Sequence, residues 1–247
     1  MQENAHRSHA SLERDLRVKK AEKIVRLVET VRLWKGATVL DIGTGAGVIA
    51  HTLAQAVGPE GEVHSLDIGD ERVEKDGYHF QQVTDPHLPF PDQTFDIVLS
   101  NHVIEHVGAK SAQQLHVAEI HRVLRDDGVL YMATATRWVL IEPHYMVPFL
   151  SWLPRPLASG YLRLTRRAKV YDCYLPSHRR LRRLLAQTGF HWKEPVFDAM
   201  RLMAEIEGHT GLTRRILTAP EPVMKAMRPV IPTIICLASK NEAPSPT

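Results

Sequence analysis

The chain has 247 residues, 44% of them hydrophobic and 24% charged, which suits one α/β domain and excludes disordered and fibrous classes. Its polar first residues are unlike a secretory signal and no apolar run is long enough to cross a bilayer, so we expect a cytoplasmic protein whose two cysteines are reduced thiols. The net charge is only +3, but residues 155–183 hold nine Arg or Lys against one acid, which concentrates positive charge in one stretch.

The first predicted elements are a helix, a strand, a glycine loop and a second helix. Apolar residues at helical spacing predict a helix over residues 9–33, which we expect to pack beside or over a ligand site. The β-rich run Ala37–Ile42 follows, and a glycine turn leads into a helical pattern that ends at Gly58.

Strand and helix patterns continue to alternate along the chain. Further strands are predicted at residues 62–67, 79–83, 95–100 and 129–132. Two more helices are predicted to begin at Ser111 and at Ser177. Strands that alternate with helices imply a parallel sheet. The apolar run at 230–237, which contains Pro232, predicts a last strand near the sheet edge.

Two segments interrupt this alternation: residues 136–176, rich in Trp, Pro, Tyr and Arg, and residues 199–228. Both are expected to be insertions over the C-terminal edge of the sheet, where open α/β sheets bind their ligands. We therefore predict a single domain over residues 1–247, with its core at 36–134, two cap insertions and a disordered tail at 241–247.

The glycine loop is the first candidate for a binding site. Gly43-Thr-Gly-Ala-Gly47 lies between a strand and a helix, where glycines let a ligand approach the backbone. Its spacing departs from the G-x-G-x-x-G pattern of dinucleotide sites, so a pyrophosphate on the helix is less expected. Asp67, at the end of the second strand, is the acid that would bind ribose hydroxyls.

Three sequence motifs follow one another along the chain: VLDIGTGAG at 39–47, LPFPDQTFD at 88–96 and EIHRVLRDDG at 119–128. The series resembles class I S-adenosylmethionine (SAM)-dependent methyltransferases, in particular the subgroup of quinone, sterol and small-molecule methyltransferases. Several motifs in order are more specific than one. The resemblance implies a Rossmann-like α/β fold with a mostly parallel seven-stranded sheet, helices on both faces, SAM as cofactor and S-adenosylhomocysteine as product.

The resemblance also implies roles for individual residues around the loop. Gly43 and Gly45 would face the amino-acid part of SAM, and Asp67 would accept hydrogen bonds from both ribose hydroxyls. Ile68 would pack on the adenine. Asp41 would orient the loop through water, and the alternative is a carboxylate that braces the loop without touching the ligand.

Further roles fall on residues that follow later strands. Asp85 would lie beside the adenine amino group, while Asn101 and His102 would border the sulfonium at the end of the fourth strand. If the acceptor is a hydroxyl, a base must take its proton, and His102 is the candidate, with His106 and His144 in reserve. The alternative for His102 is a structural hydrogen bond in the loop.

Two other functions are suggested by short patterns and are discounted. His102-Val-Ile-Glu-His106 matches the H-x-x-E-H pattern of some zinc peptidases, but no third ligand stands at a telling spacing, so we predict no metal. Enzymes that methylate bases in nucleic acid usually carry Pro-Pro-aromatic after the residue equivalent to Asn101, whereas His-Val-Ile follows here, so nucleic acid is disfavoured.

The first cap insertion is expected to select the acceptor. Its aromatic residues could line an apolar pocket and its arginines could hold an anionic group, or the aromatics could be core and the arginines a solvated helix face. The candidate substrate-binding residues are Trp138, His144, Tyr145, Arg163, Arg166 and Arg167.

The predicted reaction is methyl transfer to an oxygen of a small-molecule, glycan or lipid-linked acceptor, with peripheral membrane contact through the basic segment. The alternatives are C- or N-methylation of a neutral small molecule and a regulatory protein that binds SAM without turnover. The oligomeric state is left open.

Overall fold

The computed structural model of the protein describes residues 2–208, 222–224 and 231–242. Its helices are α1 (Gln2–Glu29), α2 (Val48–Val57), α3 (Lys110–Val123), α4 (Arg155–Leu164), α5 (His178–Thr188) and α6 (Val196–Glu207), with a 3₁₀ turn at Leu150–Trp152. Its strands are β1 (Thr38–Ile42), β2 (Glu62–Asp67), β3 (His79–Gln82), β4 (Phe95–Asn101), β5 (Leu124–Ala135), β6 (Ile141–Glu142), β7 (Val147–Pro148), β8 (His191–Lys193) and β9 (Thr233–Ser239). Among the described residues, no helix is long and apolar enough to cross a membrane.

Seven strands form one sheet in the order β3-β2-β1-β4-β5-β9-β8, and β6 pairs with β7 in a separate hairpin. The five neighbouring strands β3, β2, β1, β4 and β5 pair in parallel, while β9 is antiparallel to both of its neighbours, β5 and β8. Parallel neighbours need a crossover connection, which α2 supplies between β1 and β2 and α3 supplies between β4 and β5. The arrangement confirms the predicted Rossmann-like fold with a mostly parallel seven-stranded sheet.

Helices cover both faces of the sheet because side chains alternate along each buried strand. In β1, Val39 packs on the face that holds α1, α2 and α6, whereas Leu40 packs on the face that holds α3 and α5. In β5, Tyr131 likewise packs on the face of Val39, and Leu130 packs on the face of Leu40. Both faces are apolar, so the central strands read as nearly continuous hydrophobic runs.

The last strand lies near the sheet edge, as the sequence predicted, although it is not the edge strand itself. β9 begins directly after Pro232 and pairs with β5 on one side and β8 on the other, so it is an interior strand. The edge belongs to β8, a strand of three residues that the sequence pattern did not predict. Pro232 precedes the paired residues, so its missing N–H removes no hydrogen bond from the sheet.

Two helices have boundaries that differ from the sequence pattern. The first helix runs from Gln2 to Glu29, not from residue 9 to residue 33. The third begins at Lys110 without a side-chain cap, so Ser111 lies inside its first turn and does not cap it. Ser177 does cap α5 as predicted, because its hydroxyl accepts a hydrogen bond from the Arg180 N–H at 3.3 Å.

The two predicted caps have different relations to the core. The first, residues 136–176, contains the β6–β7 hairpin and α4 around a small apolar cluster of its own. In the second, α6 packs on α1 and contributes Ala199 to the main core. Most of the rest of that predicted cap, residues 209–221 and 225–228, lies outside the described residues, as does the tail from residue 243.

The sheet topology brings three loops together. β1, β2 and β4 are neighbours and run in parallel, so their carboxyl ends meet at one edge. The glycine loop, Asp67 and the loop that begins at His102 follow these three strands. This edge is the place where open α/β sheets bind their ligands.

Candidate active site

The glycine loop is held in place by the end of β2. The Gly45 N–H donates to Asp67 Oδ2 at 2.8 Å and the Gly43 N–H donates to the Leu66 carbonyl at 2.8 Å. Gly45 has a φ of +52° and Gly43 a φ of +83°, a left-handed conformation that glycine adopts without strain. The local sequence therefore fixes both the path of the loop and its distance from Asp67.

A cavity of about 390 Å³, here called the loop cavity, lies beside these glycines. Its walls are the loop, the first residues of α2, Leu16, Arg17 and Lys20 of α1, and Asn101 and His102 at the end of β4. α1 thus borders the loop, as the sequence predicted.

The two predicted cofactor glycines face different surroundings. A Cβ on Gly45 would meet no atom within 4 Å and would project into open space, whereas a Cβ on Gly43 would collide with Val103. Gly45 therefore leaves room for a ligand to approach its backbone, while Gly43 leaves room for a neighbouring side chain.

Asp67 and Ile68, which were predicted to bind ribose and adenine, lie at and just after the end of β2. The Asp67 carboxylate accepts hydrogen bonds from the Gly45 and Ile68 N–H groups at 2.8 and 2.7 Å, and each oxygen keeps a second lone pair. Ile68 is a large apolar side chain that is 79% exposed beside this carboxylate. Asp85 lies after the neighbouring strand, exposed, and accepts a hydrogen bond from the His87 N–H at 2.7 Å.

Asp41 is buried beneath the loop, and its Oδ2 has no hydrogen-bond partner among the described residues. Burial, with a smaller contribution from Asp67, raises the pKa of Asp41 to about 7. A buried, unpartnered carboxyl oxygen is unfavourable unless water or a ligand satisfies it. This agrees with the predicted role of Asp41 through water, which stays a prediction.

A second cavity of about 480 Å³, here called the apolar cavity, adjoins the first. Val196, Phe197, Met200 and Met203 of α6 form one wall, and Ile235 of β9 contributes to another. The lining is mostly aliphatic, thioether and aromatic, which suits an apolar molecule with a flat or flexible body. Met200 and Met203 belong to the segment 199–228, which the sequence pattern predicted to lie over this edge of the sheet, but no residue of that segment was predicted to line a pocket.

The two cavities meet at Asn101, His102 and Lys20, which line both. Asn101 Oδ1 is buried without a partner among the described residues, so it is available to a ligand at this junction. Lys23 lines the apolar cavity, and burial together with the nearby Lys20 lowers the pKa of Lys23 to about 8. Burial also lowers the pKa of Lys20, with Arg17 adding to the effect.

His102 is held by a buried carboxylate. His102 has a φ of +60°, and its backbone N–H donates to the Ala133 carbonyl at 2.7 Å. Its ring Nδ1 lies 3.0 Å from Glu105 Oε1. The other Glu105 oxygen accepts from the Thr134 hydroxyl at 2.7 Å. Burial acts to raise the pKa of Glu105, but the hydrogen bonds from His102 and Thr134 outweigh it and the pKa is lowered. An ionised Glu105 favours the tautomer with a proton on Nδ1, which leaves Nε2 as an acceptor.

The reserve bases His106 and His144 form a second cluster. Their Nε2 atoms are 3.1 Å apart, and His144 Nδ1 lies 2.7 Å from Glu142 Oε1. The hydrogen bond with Glu142 raises the pKa of His144, whereas burial and the neighbouring His144 lower that of His106. Neither histidine lines the loop cavity or the apolar cavity.

The other predicted substrate residues also lie away from both cavities. Tyr145 donates to Asp172 at 2.6 Å, and Trp138 packs edge-on against Trp152. The three arginines are exposed on and just after α4 at positions 163, 166 and 167. Their part in acceptor binding remains a prediction.

These observations fit SAM as the ligand of the loop cavity. An open approach at Gly45, free lone pairs on Asp67, an exposed Ile68 and the orphaned oxygens of Asp41 and Asn101 supply the contacts that a nucleoside with an amino-acid tail requires. Sequence reasoning missed Glu105 as a partner of His102, although the H-x-x-E-H pattern contains it.

Comparison with known proteins gives the same assignment. Residues 33–160 match the family model described as "Methyltransferase domain". The chain is 30% identical over 185 residues to a ubiquinone/menaquinone biosynthesis C-methyltransferase of Cupriavidus pinatubonensis, covering 64% of this chain and 73% of that one. It is 27% identical over 181 residues to a ubiquinone biosynthesis O-methyltransferase of Rhizobium etli, covering 63% and 72%.

A solved structure has the same fold. The geranyl diphosphate C-methyltransferase from Streptomyces coelicolor, in complex with Mg²⁺, geranyl diphosphate and S-adenosyl-L-homocysteine, aligns with a TM-score of 0.52. The alignment covers 91% of this chain and 80% of that one at 14% identity, so it bears on the fold alone.

We expect Gly45→Ala to weaken SAM binding at least roughly tenfold, because the added methyl group would occupy the space at the loop. Gly36→Ala is the control, since Gly36 also has a positive φ, of +73°, but lies before β1 at the opposite end of that strand. Both variants should lose about 1 kcal/mol of stability through left-handed strain. Calorimetry in which the two variants bind SAM equally well would remove Gly45 from the site.

Asp41 predicts a pH dependence of stability. Because the folded-state pKa of about 7 lies above the ordinary value of 3.8, the Asp41 carboxyl should contribute a loss of stability as the pH rises from 4 to 7. Asp41→Asn removes this titration, so the variant should gain about 1–4 kcal/mol relative to wild type between pH 4.5 and pH 8. Urea unfolding at both pH values measures the difference. Asp15→Asn, on the exposed surface of α1, is the control and should gain nothing; an equal gain in both variants would contradict the assignment.

Proposed function

The chain belongs to the class I SAM-dependent methyltransferases, and on that premise we propose that it methylates a hydroxyl oxygen of an apolar, quinone-type ring compound. The observation that carries the proposal is the junction of the two cavities at His102. One cavity suits SAM, the other suits an apolar acceptor, and a base stands where they meet. The acceptor would enter beside α6 and present its hydroxyl to the junction.

The residues around the glycine loop would hold the cofactor. Gly45 would receive it at the backbone, Asp67 would accept from the ribose, Ile68 would cover the adenine, and Asn101 would lie beside the reacting end. When bound, SAM supplies an activated methyl group for in-line displacement. The protein then has to orient the acceptor, exclude water and remove one proton.

His102 would remove that proton. With Nδ1 engaged by Glu105, Nε2 carries the free lone pair and can accept a proton from an acceptor hydroxyl. The carboxylate of Glu105 stabilises the imidazolium that results and keeps the ring oriented, since it is itself held by Thr134. Glu105 is a positioning residue in this scheme and His102 is the catalytic base.

Lys20 and Lys23 would favour the ionised form of the acceptor. Both amines are partly buried beside the apolar cavity, and a phenolate oxygen brought there would be attracted to them. An enolised or phenolic ring, acidic at one end and apolar over the rest, matches this lining better than a sugar would.

The relatives support a quinone-type acceptor, but they differ in whether oxygen or ring carbon is methylated. One is named as a ubiquinone biosynthesis O-methyltransferase and another as a ubiquinone/menaquinone C-methyltransferase. Because the second is 30% identical, C-methylation of the same kind of ring is the alternative. Both reactions release one proton, which His102 could accept, and we propose oxygen because a hydroxyl at the junction can donate a hydrogen bond directly to His102 Nε2.

A lipid-like acceptor would be collected at a membrane surface, and residues 136–176 have the composition for peripheral contact. The segment exposes large apolar side chains next to its basic residues. These side chains are Trp138, Leu140, Ile141, Met146, Phe149, Trp152, Leu157, Leu164 and Val170. Aromatic and aliphatic groups would enter the headgroup region, while Arg163, Arg166 and Arg167 would face anionic lipids.

The test of the reaction is incubation of the protein with methyl-labelled SAM and a prenylated hydroquinone, followed by mass spectrometry of the product. Label on oxygen supports the proposal, label on ring carbon supports the alternative, and no label on any quinone-type ring overturns the substrate class. His102→Ala should lower kcat roughly 10²–10⁴-fold, the usual loss for a general base, with SAM affinity near normal.

The control variant is His51→Ala, because His51 lies on α2, outside the residues that line either cavity, and should leave kcat unchanged. Glu105→Gln should lower kcat less than His102→Ala, since the amide still fills the space but no longer fixes the tautomer. Full activity in His102→Ala would return His102 to a structural role in its loop.

For the membrane contact, Arg163→Ala, Arg166→Ala and Arg167→Ala together should weaken binding to anionic liposomes by about 1 kcal/mol per charge near the surface. The same triple variant should raise the acceptor KM in liposomes and flatten its salt dependence. SAM binding should not change, because these positions line neither cavity.

The control for the triple variant removes three cations elsewhere, with Lys35→Ala, Lys75→Ala and Arg201→Ala, all exposed outside the segment. It has the same net charge but should bind liposomes as wild type does. Equal binding by both triple variants would make residues 136–176 an ordinary solvated face.

A further inference from the structure

Three side chains that can bind a metal converge beside the first cap. His106 follows β4 in the loop that also carries His102, His144 lies in the turn between β6 and β7, and Cys173 lies between α4 and α5. One ligand atom from each lies within 4.8 Å of the other two. They are 38 and 67 residues apart in sequence, counted from His106.

The distances resemble those of a metal site without its ion. His106 Nε2 and His144 Nε2 are 3.1 Å apart, and Cys173 Sγ is 3.9 Å from His106 Nδ1. Zinc bonds of about 2.0–2.3 Å in tetrahedral geometry separate neighbouring ligand atoms by about 3.3–3.7 Å. Only one nitrogen of His106 can bind the ion, so its exposed ring would turn slightly when the ion enters.

Glu142 supplies the supporting contact that metal-bound histidines usually have. Its side chain is fully buried, and Oε1 lies 2.7 Å from His144 Nδ1. Oε2 accepts from the backbone N–H groups of His144 and Tyr145 at 2.9 and 2.8 Å. A carboxylate on Nδ1 fixes the tautomer and leaves Nε2 free to coordinate, which is the arrangement of carboxylate–histidine–zinc sites.

We propose that His106, His144 and Cys173 bind a transition-metal ion of borderline softness, with Zn²⁺ as the probe, and that a water molecule takes a fourth position. Two imidazoles and one thiolate are donors that zinc prefers over hard cations. The proposal departs from the sequence-based prediction of no metal, which considered only the H-x-x-E-H spacing. In the fold, His106 meets His144 and Cys173, while Glu105 belongs to His102.

The ion would join three separate parts of the chain. It would tie the turn of the β6–β7 hairpin and the stretch before α5 to the loop that carries His102. Its ligand His106 directly follows Glu105 in the chain, so the bound ion would also restrain the His102–Glu105 pair. We therefore expect a structural contribution, visible as stability, in addition to any effect on catalysis.

The same three groups could also form a hydrogen-bonded cluster with no metal, since Cys173 Sγ is 3.5 Å from Asp172 Oδ1 and the two histidines are within hydrogen-bond distance. The two arrangements differ in what Cys173 does. A metal needs its thiolate, whereas the cluster needs only a weak S–H donor, which a serine can replace.

The experiment uses the full-length protein, stripped with a chelator and titrated with Zn²⁺ by calorimetry, and separately with Co²⁺ by absorption. We expect one equivalent of Zn²⁺ to bind, the melting temperature to rise with it, and the Co²⁺ form to show a thiolate charge-transfer band. Cys173→Ser and His144→Ala should each weaken Zn²⁺ binding at least 100-fold, and the band should vanish in Cys173→Ser. Glu142→Gln should weaken binding 10–100-fold, the usual loss for a supporting partner.

Cys236→Ala and His191→Ala are the controls, one a buried thiol in β9 and the other an exposed histidine in β8. Both should keep one equivalent of Zn²⁺ and the Co²⁺ band. Circular dichroism of each stripped variant shows whether it is folded before titration. A wild-type protein that binds no Zn²⁺, or binding that Cys173→Ser leaves intact, would overturn the proposal whether or not the methyl-transfer proposal holds.

Discussion

The hydrogen bonds of Glu105 are the interaction on which the active-site region depends. A carboxylate with no exposed surface is unfavourable unless every part of it is satisfied. Here its oxygens engage His102 in the loop after β4 and Thr134 near the end of β5, and its backbone carbonyl accepts the Tyr174 N–H at 2.7 Å. One buried residue therefore joins the loop that carries His102, the sheet and the chain that leaves the first cap. The left-handed φ of His102 is acceptable because these contacts hold it.

Much of the cofactor side of the site could be predicted from the sequence, because the determinants are local. A strand, a glycine loop, a helix and an acid one strand later fix Gly45 and Asp67 within 22 residues of each other. The parallel strand order then brings them to the same edge. β8 escaped prediction because three residues at a sheet edge leave no periodic pattern.

The apolar cavity, proposed above to hold the acceptor, could not be predicted in the same way, because its parts are distant in sequence. The wall formed by Phe197 and Met200 lies almost a hundred residues beyond His102, and its apolar pattern reads as an ordinary core helix. The aromatics and arginines of residues 136–176 were predicted either to bind the acceptor or to form core and a solvated helix face, and many of these side chains are exposed. The composition identified that segment as unusual, but only the fold shows which of its side chains are buried and which are exposed.

The position of β9 has a consequence for the order in which the protein can be assembled during synthesis. The strands from β1 to β5 are complete before the ribosome reaches residue 136, so five of the seven strands of the sheet and the glycine loop can form early. β8 then has no partner until residues 233–239 emerge, because β9 alone connects it to β5. Ile235 and Thr233 also close the apolar cavity. A chain that stops short of β9 would keep the glycine loop and lose a wall of the apolar cavity, so the apolar cavity is completed last.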